Sequence, residues 1–256
     1  MRSQVKRPRV VKYGGSVLRD ADGVARAAEH AAGIARTDVP LVVVVSALFG
    51  RTEELLARGA DYAGGPISLG ETATDLLTAV GELEAVAAFT LALGRLGVAA
   101  RPLSPHELGL RTVRGKDDDG ARVFDVERSR LLRKLRIGRV LVVPGFLGTT
   151  ADFGRITTLG RGGSDLTAVA LAEAAGARTA EFVKDVPGLF DVDPRTDARA
   201  IHLPHATYAE ARALVRGGAR CLMPRAVEEA ERRGIRLQLC ALNDPRSTTV
   251  GPTEGE

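Results

Sequence analysis

Two short, continuously apolar runs constrain the fold of this chain more than any other feature. Residues 41–45 read LVVVV and residues 140–143 read VLVV, without the polar alternation of a strand that has one face in water. Such runs are typical of strands buried on both faces of a parallel sheet. Along the rest of the chain, similar β-branched segments alternate with Ala- and Leu-rich stretches of helical period. This alternation predicts a three-layer α/β/α sandwich with a mainly parallel central sheet.

The composition is that of an ordinary globular protein. Of the 256 residues, 45% are hydrophobic and 27% are charged, which excludes a disordered or collagen-like chain. The two cysteines can form at most one disulfide and no Cys/His cluster is present, so we expect a reducing compartment, the cytoplasm. No uninterrupted apolar run of 18 residues occurs, so we expect no membrane span.

The net charge of +4 is spread over many arginines, and only five of the 36 basic residues are lysines. The arginines are mostly interleaved with acidic residues, as in residues 228–233, which is typical of a solvated surface rather than a nucleic-acid-binding stripe. The chain has no Trp and only 4% aromatic residues, which argues against a base-stacking platform. We therefore expect no nucleic-acid partner.

Weaker local patterns complete the predicted element order. Residues 71–96 are predicted to form a long helix with a possible break near Gly81, and residues 125–135 a shorter helix. Turn-forming residues predict a hairpin over residues 149–158. We expect the polar tail beyond Asp244 to be frayed.

Four loops that follow predicted strands are glycine-rich or polar. Open α/β sheets bind ligands beyond the carboxyl ends of their strands, so these loops should meet at one site. A lysine in one loop and hydroxyl side chains in another suggest a cradle for phosphate. The four loops are residues 12–16 (KYGGS), 46–52 (SALFGRT), 144–146 (PGF) and 185–188 (DVPG).

The strongest local motif is the glycine-rich segment 158–165 (TLGRGGSD), which leads into a predicted helix. Glycines let backbone amides approach an oxyanion, and the helix dipole adds attraction for negative charge. Arg161 offers a planar fork for a carboxylate or phosphate, whereas Asp165 is equally well explained as an acid that stabilises the first helical turn. The chain has no GxxxxGK[ST] motif, which excludes a P-loop protein, and no GxGxxG follows a strand.

Four segments together resemble the aspartokinases. Residues 11–16 (VKYGGS) resemble their KFGG(T/S) opening, and residues 157–165 match their TTLGRGGSD signature without a break. Residues 184–195 (KDVPGLFDVDPR) resemble their TDVxGxYTxDPR segment, and residues 217–227 (GGARCLMPRAV) resemble the GAKVLHPRAV segment that follows it. Order and spacing agree over about residues 8–250. The chain is thus similar to the aspartokinase branch of the amino-acid-kinase fold.

The resemblance implies an enzyme that uses ATP and Mg²⁺ to phosphorylate the side-chain carboxylate of L-aspartate, giving 4-phospho-L-aspartate and ADP. Lys12 would stabilise charge on the transferring phosphoryl group, and Asp165 would order Lys12 or help to hold the substrate ammonium group. Arg161 would pair with the substrate α-carboxylate and Glu82 with its ammonium group. These residue types suit phosphoryl transfer, which depends mainly on positioning and on neutralising negative charge.

The other implied site residues fall into a substrate group and a nucleotide group. Plainer interpretations stay open for some of them: hydroxyl side chains that cap loops, a surface acid on a helix for Glu82, and a surface turn for Arg195. The substrate group contains Ser46, Thr52 and Ser164. The nucleotide group contains Lys12, Gly14, Gly15, Ser16, Lys184, Asp185, Phe190, Arg195 and Arg220.

Four positions depart from the family pattern, all in the predicted nucleotide half. Lys184 stands in place of a threonine, Phe190 in place of a tyrosine, Arg220 in place of a lysine and Met223 in place of a histidine. Arginine and lysine are not interchangeable at a geometrically fixed site. The nucleotide preference is therefore less firmly implied than the class of substrate.

We expect a single amino-acid-kinase domain over residues 1–256, with an amino-acid-binding half over about 8–150 and a nucleotide-binding half over about 151–245. The ACT regulatory domains common in aspartokinases are absent from the sequence, so we expect a stand-alone enzyme, in keeping with a specialised pathway, that lysine and threonine do not inhibit. Apolar helical surface in residues 71–96 makes a homodimer the expected assembly. Two alternatives stay open: a kinase that forms an acyl phosphate on another small amino or carboxylic acid, and a non-catalytic nucleotide-binding protein.

Overall fold

The computed structural model describes residues 6–114, 121–152, 154–218 and 221–252. An eight-stranded sheet lies between two layers of helices, and a four-stranded sheet and a two-stranded ribbon adjoin it. The predicted three-layer architecture is confirmed.

The elements alternate along the chain as the apolar pattern indicates. The strands of the described residues are β1 (Arg9–Tyr13), β2 (Leu41–Val45), β3 (Arg101–Pro102), β4 (Leu110–Arg114), β5 (Ala121–Val126), β6 (Val140–Pro144), β7 (Leu147–Thr150), β8 (Ile156–Thr158), β9 (Thr179–Lys184), β10 (Leu189–Phe190), β11 (His202–Leu203), β12 (His205–Ala206), β13 (Arg236–Ala241) and β14 (Asp244–Val250). The helices are α1 (Ala21–Ala35), α2 (Arg51–Ala63), α3 (Thr72–Arg95), α4 (Pro105–Leu108), α5 (Arg128–Gly138), α6 (Gly163–Ala175), α7 (Tyr208–Arg216) and α8 (Pro224–Arg233).

The central sheet has the strand order β12-β14-β13-β9-β1-β2-β6-β3. The six strands from β13 to β3 run parallel, and β14 runs antiparallel to β13. β1 is central, with Lys12 paired in register to Val44 of β2 and Phe182 of β9. Because these strands are parallel, the loops that follow β1, β2, β6 and β9 leave the same edge of the sheet.

The LVVVV run of β2 is buried along its whole length because helices cover both faces of the sheet. Val42 and Val44 pack into the layer formed by α5, α6 and α8, whereas Val43 and Val45 pack into the layer formed by α1 and α3. Burial of an aliphatic side chain of this size stabilises the fold by about 1.5–3 kcal/mol. The layered burial therefore accounts for a strand without polar alternation.

The smaller sheet has the strand order β5-β4-β7-β8. β7 and β8 form an antiparallel pair, which confirms the hairpin predicted over residues 149–158. β8 ends at Thr158, directly before the glycine-rich segment that leads into α6.

Two helix predictions need correction. Asp125 belongs to β5, which pairs with β4, and α5 begins only at Arg128, so the helix predicted from residue 125 was wrong at its start. α3 runs without a break through Gly81. A Cβ added at Gly81 would lie 3.2 Å from the side chains of Arg51 and Leu55 of α2. The glycine therefore permits close packing of α2 on α3 and does not end the helix.

The described part of the tail predicted to fray is mostly a strand, and residues 253–256 lie outside the described residues. Asp244–Val250 forms β14, which pairs with β13 in the central sheet. Thr248 and Val250 are buried, and the Thr248 hydroxyl donates to the carbonyl of Leu203 at 2.5 Å. Because the segment is mostly polar, its sequence did not indicate a strand in which buried and accessible residues alternate.

By length and composition, α3 is the one helix in the described part of the chain that could cross a membrane. In the structure, Val86, Phe89 and Leu93 of α3 pack into the core beneath the sheet. Asp75 and Glu82 of the same helix are also buried in the protein. These contacts are those of a core helix in a globular fold.

Candidate active site

A cleft of about 1000 Å³ opens at the sheet edge where β1, β2, β6 and β9 end. We call it the Lys12 cleft; its walls are the loops after β1 and β2, α3, and the segment that leads into α6. Ten of the predicted site residues lie on its surface. They are Lys12, Gly15, Ser16, Ser46, Thr52, Glu82, Arg161, Ser164, Asp165 and Lys184.

A second cleft of about 480 Å³ adjoins it, which we call the Phe190 cleft. It contains the predicted residues Asp185, Phe190 and Arg195, together with several apolar side chains. Asp185 lies between the two clefts, because its carboxylate accepts from the Ser16 hydroxyl at 3.2 Å and from Arg195 at 3.5 Å. The other apolar side chains of the Phe190 cleft are Val186, Val192, Pro194, Ala213, Leu214 and Cys221.

Two predicted site residues are not among those that line the clefts. Gly14 lies at the turn after β1, where an added Cβ would be 3.6 Å from Lys12 Nζ. Arg220 lies outside the described residues, so its predicted contact with the nucleotide stays a prediction.

The glycine-rich segment folds into a tight turn that starts α6. Gly162 is the N-cap of this helix in the left-handed conformation, with φ of 74°, and a Cβ there would lie 2.3 Å from the Met223 side chain. At Gly145, after β6, a Cβ would lie 2.5 Å from that of Ser164. Only glycine fits both positions, and the resulting contacts hold the first turn of α6 against the end of the sheet.

Three charged groups meet at the base of the Lys12 cleft. Lys12 Nζ lies 2.7 Å from Asp165 Oδ1, and Lys184 Nζ lies 3.2 Å from both carboxylate oxygens of Asp165. Burial and the neighbouring Lys184 lower the pKa of Lys12 to about 8, although Asp165 opposes the shift. Burial alone would raise the pKa of Asp165, but the two ammonium groups lower it below the usual aspartate value.

Glu82 lies on the α3 side of the same cleft and is buried. Burial raises the pKa of Glu82 to about 8, while a hydrogen bond from the backbone of Ala47 and the charge of Lys12 oppose the rise. Among the side chains that the structure describes, Glu82 Oε2 is the one buried polar atom without a hydrogen-bond partner. A buried acceptor at the surface of a cleft is suited to a ligand that brings a donor or a positive charge.

Arg161, Ser46 and Thr52 line the cleft in accessible positions. Within the described ranges, these side chains form no hydrogen bond or ion pair. The N-cap of α2 is Gly50, so Thr52 does not cap that helix. The three side chains are therefore free to bind a ligand.

Sequence reasoning missed a buried contact that supports the site. Asp75, in the first turn of α3, accepts hydrogen bonds from the Thr158 hydroxyl at 2.7 Å, the Thr158 backbone N–H at 3.3 Å and the Gly70 N–H at 2.9 Å. An acid in the first turn of an apolar helix was visible in the sequence, but its partner 83 residues away was not.

Comparison with known proteins assigns the class to which this fold and cleft belong. Residues 7–241 match the model of the amino acid kinase family, and the chain belongs to that family. Within it, the chain is 37% identical over 241 residues to an aspartokinase of Mycobacterium tuberculosis, covering 94% of this chain and 56% of that protein. It is 38% identical over 230 residues to an aspartokinase of Thermus thermophilus, covering 90% and 55%. The chain thus spans about half the length of the curated relatives it matches.

Solved structures show the same similarity. The aspartate kinase from Synechocystis superposes with a TM-score of 0.80 at 33% identity, covering 96% of this chain and 40% of that chain. E. coli aspartokinase III in complex with aspartate and ADP superposes with a TM-score of 0.78 at 25% identity, covering 96% and 65%. The predicted resemblance to the aspartokinases is confirmed.

Proposed function

We propose that this chain catalyses the ATP-dependent phosphorylation of L-aspartate on its side-chain carboxylate. The observation that carries the proposal is the set of charged side chains that line the Lys12 cleft. The Lys12 cleft holds the buried carboxyl group of Glu82, of which Oε2 has no hydrogen-bond partner, and the free guanidinium of Arg161. It also holds a buried cluster of positive charge, in which Lys12 and Lys184 both pair with Asp165. The first two are complementary to an α-amino acid, and the third to phosphate.

On the substrate side, Glu82 binds the ammonium group and Arg161 the α-carboxylate of aspartate. Ser46, Thr52 and Ser164 add hydroxyl groups on the same surface. An ammonium group supplies the donor that Glu82 Oε2 lacks. Arg161 offers a bidentate hydrogen bond to a carboxylate, which orients a planar group as well as attracting it.

On the nucleotide side, the base of ATP occupies the apolar Phe190 cleft and its phosphates extend toward the Lys12 cleft. Gly14, Gly15 and Ser16 lie along this path, and Asp185 and Arg195 lie where the clefts meet. E. coli aspartokinase III, on which this chain superposes, was solved in complex with aspartate and ADP, and this supports binding of both an amino acid and a nucleotide.

Mg²⁺ enters the proposal with the nucleotide. The described residues contain no group of three His, Cys, Asp or Glu side chains arranged to hold a metal ion. This fits Mg²⁺, which usually keeps several waters and binds through substrate phosphates and one or two carboxylates. Asp185 is the carboxylate between the clefts that would add a ligand, and the bound ion would neutralise charge on the phosphates.

The residues of the cleft need to position the substrates and neutralise the charge of the phosphates, and they do not need to activate a nucleophile. The side-chain carboxylate of aspartate is ionised at neutral pH. One of its oxygens forms a bond to the γ-phosphorus of ATP as the bond to the leaving ADP oxygen breaks, so no proton has to be removed. Lys12 stabilises the charge that spreads over the transferring phosphoryl oxygens.

The same proposal covers the two halves of the domain, the homodimer and the cytoplasmic location of the protein. Residues from about 8 to 150 supply Glu82 and most of the substrate side, and also Lys12, Gly14, Gly15 and Ser16 for the phosphates. Residues from about 151 to 245 supply the rest of the nucleotide side together with Arg161 and Ser164. An apolar stripe left exposed on α3 supports a homodimer (Leu76, Val80, Leu83 and Leu91). The free thiols of Cys221 and Cys240 support a cytoplasmic location.

The test is an assay of ADP release by the purified chain with ATP, Mg²⁺ and a panel of amino and carboxylic acids, in which hydroxylamine traps any acyl phosphate. We expect release and hydroxamate with L-aspartate. Lys12→Met should lower kcat by about 10²–10³-fold, given what single electrostatic groups contribute. Lys6→Met is the control, because Lys6 precedes β1 and donates to the Thr37 carbonyl away from the cleft.

Two other outcomes would contradict the proposal. Hydroxamate formed with a different acid, and not with aspartate, would assign the chain to another acyl-phosphate-forming kinase. Nucleotide binding without turnover on any acid would assign it to the non-catalytic alternative.

A further inference from the structure

The single negative charge of Asp165 pairs with two ammonium groups, although one would be enough to neutralise it. Lys12 and Lys184 both lie within 3.2 Å of its carboxylate, and the side chains of Lys184 and Asp165 are only 12% and 4% exposed. The cluster therefore carries a net positive charge in a site largely removed from water. Such a charge costs free energy unless an anion lies against it.

The other nearby acidic groups do not supply that anion, and Glu53, which also lines the cleft, is exposed on α2. Burial raises the pKa of Glu82 to about 8, so its carboxyl group is mostly protonated at neutral pH. Asp185 follows Lys184 in the chain but is exposed, and it pairs with Ser16 and Arg195. The excess charge is thus available to a ligand.

Both lysine side chains lie close to the turn after β1. A Cβ added to Gly14 would be 3.6 Å from Lys12 Nζ and 3.7 Å from Lys184 Cδ. The strands that carry them, β1 and β9, are neighbours in the sheet, and α6 brings the amide end of its dipole to the same place through Asp165. Two lysines and a helix N-terminus converge on the point where the proposed path of the phosphates ends.

We propose that Lys184 is a second catalytic cation, which contacts the oxygens of the transferring γ-phosphoryl group together with Lys12, and that Asp165 positions both lysines. This inference rests on the proposed function. It differs from a general nucleotide contact, because it assigns Lys184 to the γ-phosphate rather than to the base, ribose or α-phosphate. It also gives a role to a residue at which this chain departs from the threonine of the family segment.

The contacts exclude the simplest structural explanation, in which Lys184 only extends to solvent. Its ammonium group lies at hydrogen-bonding distance from both oxygens of Asp165. Removal of Lys184 would leave the neutral pair Lys12–Asp165, so we expect the fold to tolerate Lys184→Met. Lys184→Arg keeps the charge but changes its geometry.

The experiment compares wild-type protein with Lys184→Met, Lys184→Arg and Lys134→Met. Lys134 is the matched control, because its side chain is similarly buried, at 13% exposed. It lies on α5, away from the cleft, and pairs with Glu107 of α4. The readouts are kcat, the two KM values, and the affinities for ATP and ADP measured by calorimetry without aspartate. Thermal unfolding checks that each variant is folded.

We expect Lys184→Met to lower kcat by about 10²-fold or more. It should weaken binding of ATP more than binding of ADP, which lacks the γ-phosphate, and leave the KM for aspartate nearly unchanged. Lys184→Arg should retain part of the activity, and Lys134→Met all of it.

The pH profile supplies a readout that a purely structural role would not move. Burial is the main cause that lowers the pKa of Lys12, and the charge of Lys184 lowers it further. Asp165 and the Glu82 carboxyl are the other titratable groups that face Lys12. Without Lys184, the fall of kcat/KM for ATP on the alkaline side should therefore move to higher pH. That profile reports groups of the free enzyme.

Failure of this inference is distinguishable from failure of the proposed function. Wild-type turnover of aspartate with unchanged kcat in Lys184→Met would overturn the role of Lys184 and leave the function standing. Equal loss of ATP and ADP affinity would move the contact away from the γ-phosphate and also overturn it. If the wild type turns over no aspartate, the proposed function fails, and the ratio of ATP to ADP affinities still tests the γ-phosphate contact.

Discussion

At the scale of single residues, burial decides the charge of the groups that would meet the substrate. Lys12 and Glu82 both have a pKa of about 8, Lys12 because burial lowers it and Glu82 because burial raises it. Below pH 8, Lys12 therefore carries its charge while Glu82 is mostly protonated. An aspartate ammonium group at Glu82 would favour the ionised carboxylate, so binding should release a proton near neutral pH.

Replacing Glu82 tests whether ionisation of this one carboxyl group controls the binding of aspartate. In the wild type, kcat/KM for aspartate should rise with pH toward about 8, because the ionised fraction of Glu82 rises through its pKa. Glu82→Gln should abolish this rise and increase the KM for aspartate by roughly 10–150-fold, the equivalent of a charge-assisted hydrogen bond of about 1.5–3 kcal/mol. The measurement is the pH dependence of initial rates at several aspartate concentrations.

Glu84→Gln is the matched control, since Glu84 lies on the same helix but pairs with Arg51 at the surface. It should leave both the pH profile and the KM unchanged. An acidic limb that persists in Glu82→Gln would mean that another group controls substrate binding.

At the scale of secondary-structure elements, one buried acid joins the two walls of the Lys12 cleft. Asp75 belongs to α3, the helix that also carries Glu82, and it binds Thr158 at the end of β8. Thr158 is followed at once by the segment that carries Arg161. This contact therefore links the two segments that carry Glu82 and Arg161, the groups proposed to bind the ammonium group and the α-carboxylate of aspartate.

Removing the hydroxyl side of this contact should affect both stability and substrate binding. Thr158→Val leaves the buried Asp75 carboxylate without its 2.7 Å donor, and an unsatisfied buried group costs about 1–3 kcal/mol. We expect the free energy of unfolding in urea to fall by that amount. The KM for aspartate should rise while the KM for ATP stays nearly constant.

Thr78→Val provides the comparison, because Thr78 is also buried but its hydroxyl donates only to carbonyls of its own helix. It should change the KM for neither substrate. A Thr158→Val protein that loses stability but keeps its KM for aspartate would limit Asp75 to a structural role.

At the scale of the whole molecule, α3 leaves an apolar stripe uncovered. Leu91 is 71% exposed, and Leu76, Val80 and Leu83 extend the stripe along the same face of this 24-residue helix. Contiguous apolar surface of this kind marks an interaction site in soluble proteins. A second copy of the chain is the occupant we propose.

Sedimentation equilibrium tests the assembly directly. The wild type should sediment with twice the 27.0 kDa mass of one chain, and Leu91→Glu should shift the mass toward that of a monomer, because it places a charge in the apolar contact. Ile137→Glu is the control, since Ile137 is 72% exposed on α5 and should not affect the assembly. A monomeric wild type, or dissociation by Ile137→Glu alone, would contradict the proposed interface.

Much of the fold and of the candidate site followed from local patterns. The run at residues 41–45 predicted a strand covered on both faces, and the loops at strand ends predicted where the cleft would lie. Motif resemblance then predicted ten residues that the structure brings to one surface. The predictions that failed were those in which a partner distant in sequence overrode the local signal, as in β14, where a polar segment becomes a strand because β13 pairs with it.

The sequence by itself determined the layered fold, because continuous apolar strands have no stable position except between two covered faces. It also determined the position of the candidate cleft, because parallel strands bring their terminal loops to one edge of the sheet. Only the tertiary structure decided which charges meet there. Lys184 and Lys12 share Asp165 because β9 and β1 are neighbours and α6 starts beneath them. Such adjacency depends on strand order and register, which long-range packing sets and no local pattern encodes.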